Sequence, residues 1–227
     1  MQKIYQIKLI FFLLFHTSSI NAHVKHYEKL KSIEFDIYRN NKNIGKHIFS
    51  FEKEGDQLIV TSKINFEIKK LGVTIYKYQV KGTEVYKNGD LIKFNSNTLQ
   101  NKKSKYVNVE LIDTNLIVDG SSFKGKVPND YILGTWWNHS IVKAKAQISA
   151  VSGRIIKQKV SFLGNETLNI DGKTYKTLHF NVSSADKSLK KNKKLDTDIW
   201  YDEDTLNWVK ASFDKKGKWE YKLINLK

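Results

Sequence analysis

Between Gly72 and Leu99 the chain reads GVTIYKYQVKGTEVYKNGDLIKFNSNTL. Tyr76, Tyr78, Val80, Gly82, Glu84 and Tyr86 fall on alternate positions. Side chains of a strand alternate between faces, so these six share one face. The intervening residues are polar after Val73 and Ile75. Asn88-Gly89 then predicts a two-residue hairpin turn, because both of its positions need positive φ. The chain returns from Leu91 to Leu99. A lone two-stranded ribbon is marginal in water, so this stretch requires more sheet on both sides.

The rest of the chain supplies it. Ile33, Phe35 and Ile37 alternate in a first strand, and Asn40 to Gly45 reads as a turn. Lys46 to Glu52 follows, with His47, Phe49 and Phe51 on one side. After Gly55-Asp56 comes a long alternation with Leu58, Val60, Ser62, Ile64, Phe66 and Ile68 inward, the pattern of a half-buried antiparallel strand. Lys105–Ile112 and Asn115–Val118 continue the meander. The pattern breaks from Ser121 to Lys145, which holds the only proline, Pro128. Pro128 or Asp130 is placed to open a short helix through Tyr131, Ile132, Trp136 and Trp137. That helix would lie over the end or open face of the sheet. Strands resume around Asp171-Gly172 and close with Thr197–Tyr201, Leu206–Phe213 and Lys218–Leu226. A flat sheet this large would leave long bare edges. The expectation is an all-β fold: an antiparallel barrel or half-barrel of about a dozen strands with one short helical lid segment.

Lys3 and Lys8, the apolar run Leu9–Phe15 and the small residues up to Ala22 have the three-part layout of a secretory signal peptide. The reading is a signal peptide over residues 1–22, cleavage after Ala22, and a single β-rich domain over 23–227 in the periplasm or outside the cell. The absence of cysteine leaves the core alone to hold the fold. The formal charge of +16 is made almost wholly of lysine, since only Arg39 and Arg154 are arginines among 39 basic residues. That balance fits the amino-acid bias of an AT-rich genome, or attraction to an anionic partner such as a membrane surface. It argues against nucleic acid, whose readers favour bidentate arginine. The five lysines between Lys187 and Lys194 lie in a polar stretch with no interleaved aromatics, unlike a single-strand binder.

No catalytic signature is present: no cysteine nucleophile, G-x-S-x-G elbow, phosphate loop or H-E-x-x-H. His47, His139 and His179 lack metal-ligand spacing. No catalytic residue, metal or cofactor is expected. Glu84 is the carboxylate of interest, because an inward carboxylate is costly unless paired. It is either tied to a nearby donor, a polar anchor for a ligand, or a general base. The tryptophans, Trp136 and Trp137 on the break and Trp200, Trp208 and Trp219 on the closing strands, are either packing residues or a lining for an apolar or sugar ligand. On a helix Trp136 and Trp137 cannot face one way, so at least one should be part-exposed or stacked on the end of the sheet.

Several stretches carry a resemblance. Phe35-Asp36-Ile37-Tyr38-Arg39 with Asn43-Ile44-Gly45-Lys46-His47 resembles an opening F-x-V-x-x-x-G-x-x-I-G hairpin. Tyr76 and Tyr78 with Glu84, Gly89 and Leu91 resemble its middle, Trp137-Asn138 the break, and Ile199-Trp200-Tyr201-Asp202 the closing strands. Together they resemble uncharacterised bacterial secreted families known only as domains of unknown function. Such families are similar in layout to periplasmic lipoprotein-carrier half-barrels. The resemblance implies a curved antiparallel sheet with a helical lid and an apolar concave face, and assigns no substrate.

The functional expectation is a monomeric, non-catalytic protein that binds an apolar or amphipathic ligand such as lipid. Tyr76, Tyr78, Glu84, Tyr86, Trp136 and Trp137 are the candidate ligand-binding residues. The alternative is an envelope interaction module with a filled core, binding an envelope protein or an anionic membrane surface. A third reading is an enzyme using Glu84.

Overall fold

The hairpins are set by residues that accept left-handed backbone. Asn40-Asn41, Asn88-Gly89 and Asp171-Gly172 all hold positive φ at both positions, between +49° and +89°. Such two-residue turns match the twist of antiparallel strands. The computed structural model describes residues 26–227. The predicted signal segment 1–22 and the domain start at residue 23 lie outside the described residues.

Fifteen strands form one sheet. The first eight are β1 (Ser32–Arg39), β2 (Lys42–Glu54), β3 (Gln57–Lys70), β4 (Val73–Lys87), β5 (Asp90–Gln100), β6 (Lys103–Ile112), β7 (Asn115–Gly120) and β8 (Lys124–Pro128). Two short strands follow, β9 (Ile132–Leu133) and β10 (Ala146–Ile148). The set closes with β11 (Ile155–Ile170), β12 (Lys173–Ser184), β13 (Asp196–Asp202), β14 (Trp208–Asp214) and β15 (Lys218–Leu226). The spatial order runs from β8 down to β1, then β15 down to β9. The sheet is therefore two meanders joined in the middle, where β1 pairs with β15 from Ile33↔Leu226 to Arg39↔Trp219. All neighbours are antiparallel except β9 and β10.

The two edge strands, β8 and β9, are consecutive in sequence. Four peptide steps from Pro128 to Ile132 reach at most about 15 Å. The sheet must therefore roll until its edges approach, without a ladder closing it. Side chains fill the gap: Val127 of β8, Leu133 of β9 and Ile148 of β10 are buried in one cluster with Phe94, Val109 and Val118. The Ser122 N–H also donates to the Ser152 carbonyl across it, at 2.8 Å. A second, larger core is aromatic and holds Tyr27, Phe35, Phe49, Trp137, Trp208 and Tyr221.

The registers place the connections at two ends of the rolled sheet. One end has the β1–β2, β3–β4, β5–β6, β7–β8, β12–β13 and β14–β15 connections; the other has β2–β3, β4–β5, β6–β7, β11–β12 and β13–β14.

The all-β expectation holds, with four corrections. The strands number fifteen rather than about a dozen, because the break segment adds β8 and β9 and is followed at once by β10. Pro128 opens no helix; it ends β8, an edge strand where a missing N–H does no harm. The helical content of the segment is one 3₁₀ stretch, His139–Lys143, so a helical lid is a minor feature. The first turn is also shorter than expected. β2 begins at Lys42, and Gly45 sits inside it, opposite Phe66. A Cβ there would lie 2.1 Å from the Asn65 carbonyl oxygen, so glycine serves a close approach of strands, not a turn.

Candidate functional site

The break segment does not cover the sheet; it enters it. After β9, Gly134 to Asn138 runs along the concave side. The Trp137 N–H donates to the Thr135 carbonyl at 2.8 Å, and Trp136 between them holds φ +61°. This is a γ-turn of the rare, strained hand. A bulky residue so placed costs roughly 1–3 kcal/mol unless its surroundings hold it. Two tyrosines do so. The Tyr201 hydroxyl donates to the Trp136 carbonyl at 2.7 Å, and that of Tyr27 to the Trp137 carbonyl at 2.6 Å. The turn throws the two indoles to opposite sides. Trp137 is fully buried, edge-on to Tyr27, Phe51 and Tyr86. Trp136 is edge-on to Trp208 and Tyr221 and stays part-exposed.

Glu84 completes the sealed half. It is fully buried; its Oε1 accepts from Trp137 Nε1 at 3.0 Å and its Oε2 from the Tyr86 hydroxyl at 2.6 Å. Burial pushes its carboxyl up to about 7, against the opposing pull of those two donors. Burial also lifts the Tyr86 hydroxyl far above its ordinary range, with Glu84 adding to the effect, so Tyr86 remains a donor. The arrangement ties both carboxylate oxygens to the fold.

The other half of the β4 inward face meets space. A void of about 180 Å³ lies between the β2–β5 wall and the Gly134–Trp136 turn. Its floor is a row of small residues. Ser62 of β3 pairs with Gly82 of β4, which pairs with Ser96 of β5. Tyr78, Val80, Trp136 and His47 close the sides. The His47 Nε2 lies 2.9 Å from the Ser62 hydroxyl, while its Nδ1 has no partner among the described residues. Burial pushes the imidazole down to about 3, so it is neutral.

Tyr78 and Tyr221 border this void and also an open groove of about 470 Å³ at the end carrying the β3–β4 turn. The groove is walled by Phe66, Tyr76, Tyr78, Phe213 and Trp219, with Arg39, Lys215 and Lys216 on its lip. Phe66 stacks on Tyr78 at 4.8 Å, and Phe213 on Trp219 at 5.7 Å. The Arg39 guanidinium sits 5.8 Å above the Trp219 ring.

The six candidate residues thus divide. Tyr76, Tyr78 and Trp136 border open space; Glu84, Tyr86 and Trp137 bond to one another. Sequence reasoning missed the serine–glycine row, and of the groove wall from β14 and β15 it singled out Trp219 but not Phe213. The first needs the strand register; the second needs the β1–β15 pairing that carries Trp219 beside Arg39. His47, His139 and His179 lie in separate surroundings, and the described residues hold no group of three or more metal-binding side chains.

Residues 35–224 match the family described as Domain of unknown function (DUF6134). The chain belongs to that family. No curated protein matches the sequence. The DUF6134 chain is similar in fold to a β-barrel-like protein of the DUF1849 family from Brucella abortus. The TM-score is 0.61 at 10% identity, over 87% of this chain and 97% of that one. That likeness shows the fold alone. A DUF1329 family protein from Desulfovibrio piger aligns over 91% of this chain and 89% of its own, at 11% identity and a TM-score of 0.26. The expectation of a family of unknown function with a curved antiparallel sheet is met.

Proposed function

We propose that this DUF6134 protein is a non-catalytic binding protein of the bacterial envelope that holds an anionic amphiphile. The apolar part of the ligand lies in the aromatic groove and its acidic head at the cationic lip. One observation carries this reading: the groove walled by Phe66, Tyr76, Tyr78 and Trp219 has Arg39, Lys215 and Lys216 at its rim and shares Tyr78 and Tyr221 with the interior void. A concave apolar surface with a few placed polar groups is the usual form of a small-ligand site, and about 470 Å³ is within the usual range of about 300–1,000 Å³. The void of about 180 Å³ is too small to serve alone.

The test is native mass spectrometry of the purified protein, followed by titration of its tryptophan fluorescence with a long-chain alkyl carboxylate below its micelle concentration. A bound mass or a saturable titration supports the reading. Tyr78→Ala and Lys215→Glu/Lys216→Glu should each weaken the titration about tenfold or more. Neither a bound mass nor saturation, or variants that titrate as the parent does, would remove the ligand and leave a filled interaction module.

A further inference from the structure

The charges of this chain are sorted by end. The connections at the β3–β4 end include residues 101–102, 185–195 and 215–217, which together contain eight lysines and one acid, Asp186. The connections at the opposite end, 55–56, 88–89, 113–114, 171–172 and 203–207, contain Asp56, Asp113, Asp171, Glu203 and Asp204 and no lysine or arginine. A genome-wide compositional bias would place lysine in both sets. Neither the 185–195 lysines nor Lys215 and Lys216 lie within ion-pair distance of a carboxylate among the described residues. Their charge is therefore available to something outside the molecule.

The same end carries an apolar tip. Leu71 is 96% exposed, Val73 65% and Ile75 54%, flanked by the exposed Lys69 and Lys70. The hairpin that bears them overhangs its neighbour. The β4–β5 ladder stops at Tyr78↔Gln100, so Val73 to Tyr76 run on past the β5–β6 turn by roughly 14 Å at about 3.4 Å per residue. Exposed large apolar residues on one projecting tip mark a contact surface.

We propose that this end docks on an anionic lipid bilayer, with the lysine-bearing connections against the headgroups and Leu71, Val73 and Ile75 in the interfacial layer. The occupant is chosen by the combination. An acidic protein would account for the lysines but not for the exposed apolar tip at the same end, whereas a bilayer presents negative charge over an apolar interior. Several cationic turns of one sheet end also suit an extended surface better than a point ligand. Each lysine near such a surface strengthens attachment about fivefold. Among the described residues no helix is long and apolar enough to cross a membrane, so the contact described is peripheral. It goes beyond the ligand reading: Ile75, Lys215 and Lys216 border both surfaces, whereas Leu71, Val73 and Lys190 do not border the aromatic groove.

Vesicle co-sedimentation of the purified chain tests it, with phosphatidylglycerol–phosphatidylcholine vesicles set against pure phosphatidylcholine. Binding should favour the anionic vesicles at least tenfold and fall as salt rises. Lys190, Lys191, Lys193 and Lys194 changed together to Gln should lower it by tenfold or more, as should Leu71→Glu/Val73→Glu. Asp204→Lys at the opposite end should leave it unchanged. All these positions are exposed and lie in connections or, for Val73, at the first residue of β4, and circular dichroism confirms that each variant is folded. Residues 1–25 are common to every variant, so any contribution they make cancels. Equal binding to both vesicle types, or parental binding by both the lysine and the tip variants, would overturn the proposal. Loss of vesicle binding with an intact alkyl-carboxylate titration separates this surface from the groove.

Discussion

The inward face of β4 contains two regions with different fates. At one end Tyr76 and Tyr78 border an open groove and a void. At the other, Glu84 is locked to Tyr86 and Trp137 by hydrogen bonds. The two halves share a strand, a face and an alternation. What divides them is the Thr135–Trp137 turn, which comes from a segment some fifty residues later and fills one half only. A side chain's direction is thus a property of its strand, whereas its role depends on what arrives from elsewhere in the chain.

Breaking the sealed half should cost most. Trp137→Ala removes a fully buried indole and strips Glu84 of a donor. Urea unfolding should report a loss of about 3–5 kcal/mol. A loss near 1 kcal/mol would mean that the two halves are energetically alike.

The next effect is on pH dependence. Burial raises the Glu84 carboxyl from 4.5 to about 7. Below the lower value both the folded and the unfolded chain hold the proton, and nothing is gained or lost. Between the two the unfolded chain releases it while the fold retains it, so stability falls as pH rises. The fall amounts to about 3 kcal/mol across that window, most of it lost by pH 7. Glu84→Gln cannot ionise, so its melting temperature should be flat over the range in which the parent's declines. Parallel curves for the two would show that Glu84 is charged in the fold throughout.

A smaller change sharpens the contrast. Tyr27→Phe keeps the ring and removes the hydroxyl that grips the Trp137 carbonyl. A loss of about 1–2 kcal/mol is expected, with faster hydrogen exchange at Trp137. In the open half, Tyr76→Ala should change stability by less than about 1 kcal/mol, because Tyr76 is partly exposed and no hydrogen bond to its hydroxyl is seen among the described residues. An effect as large as that of Trp137→Ala would erase the division.

Much of the fold was legible in the chain because the signals were local. Leu58, Val60, Ser62 and Phe66 alternate inward as their period predicts, and Asn88-Gly89 takes the turn it encodes. The break segment was misread because its signals were of the wrong kind. A proline followed by Ile132 and Trp136 four apart resembles a helix start, yet the ladders there are only two to five residues long. Trp136 at positive φ has no local cause; Tyr201 and Tyr27 hold it from far away in sequence. The site was half legible for the same reason. Tyr78 points inward by alternation, but Ser62, Gly82 and Ser96 form a row only once the register aligns them.

The central pairing of β1 with β15 bears on the order of assembly. Ile33 meets Leu226, so the middle of the sheet awaits a strand made long after β1. The β1–β8 meander can form early, yet β1 would then present Ile33, Phe35 and Ile37 beside an unpaired backbone rim. Non-local pairing is slow, and such a rim invites association while it waits. During synthesis this chain is most vulnerable at its centre, not its margins, and a chaperone that shields β1 would protect it until β15 arrives.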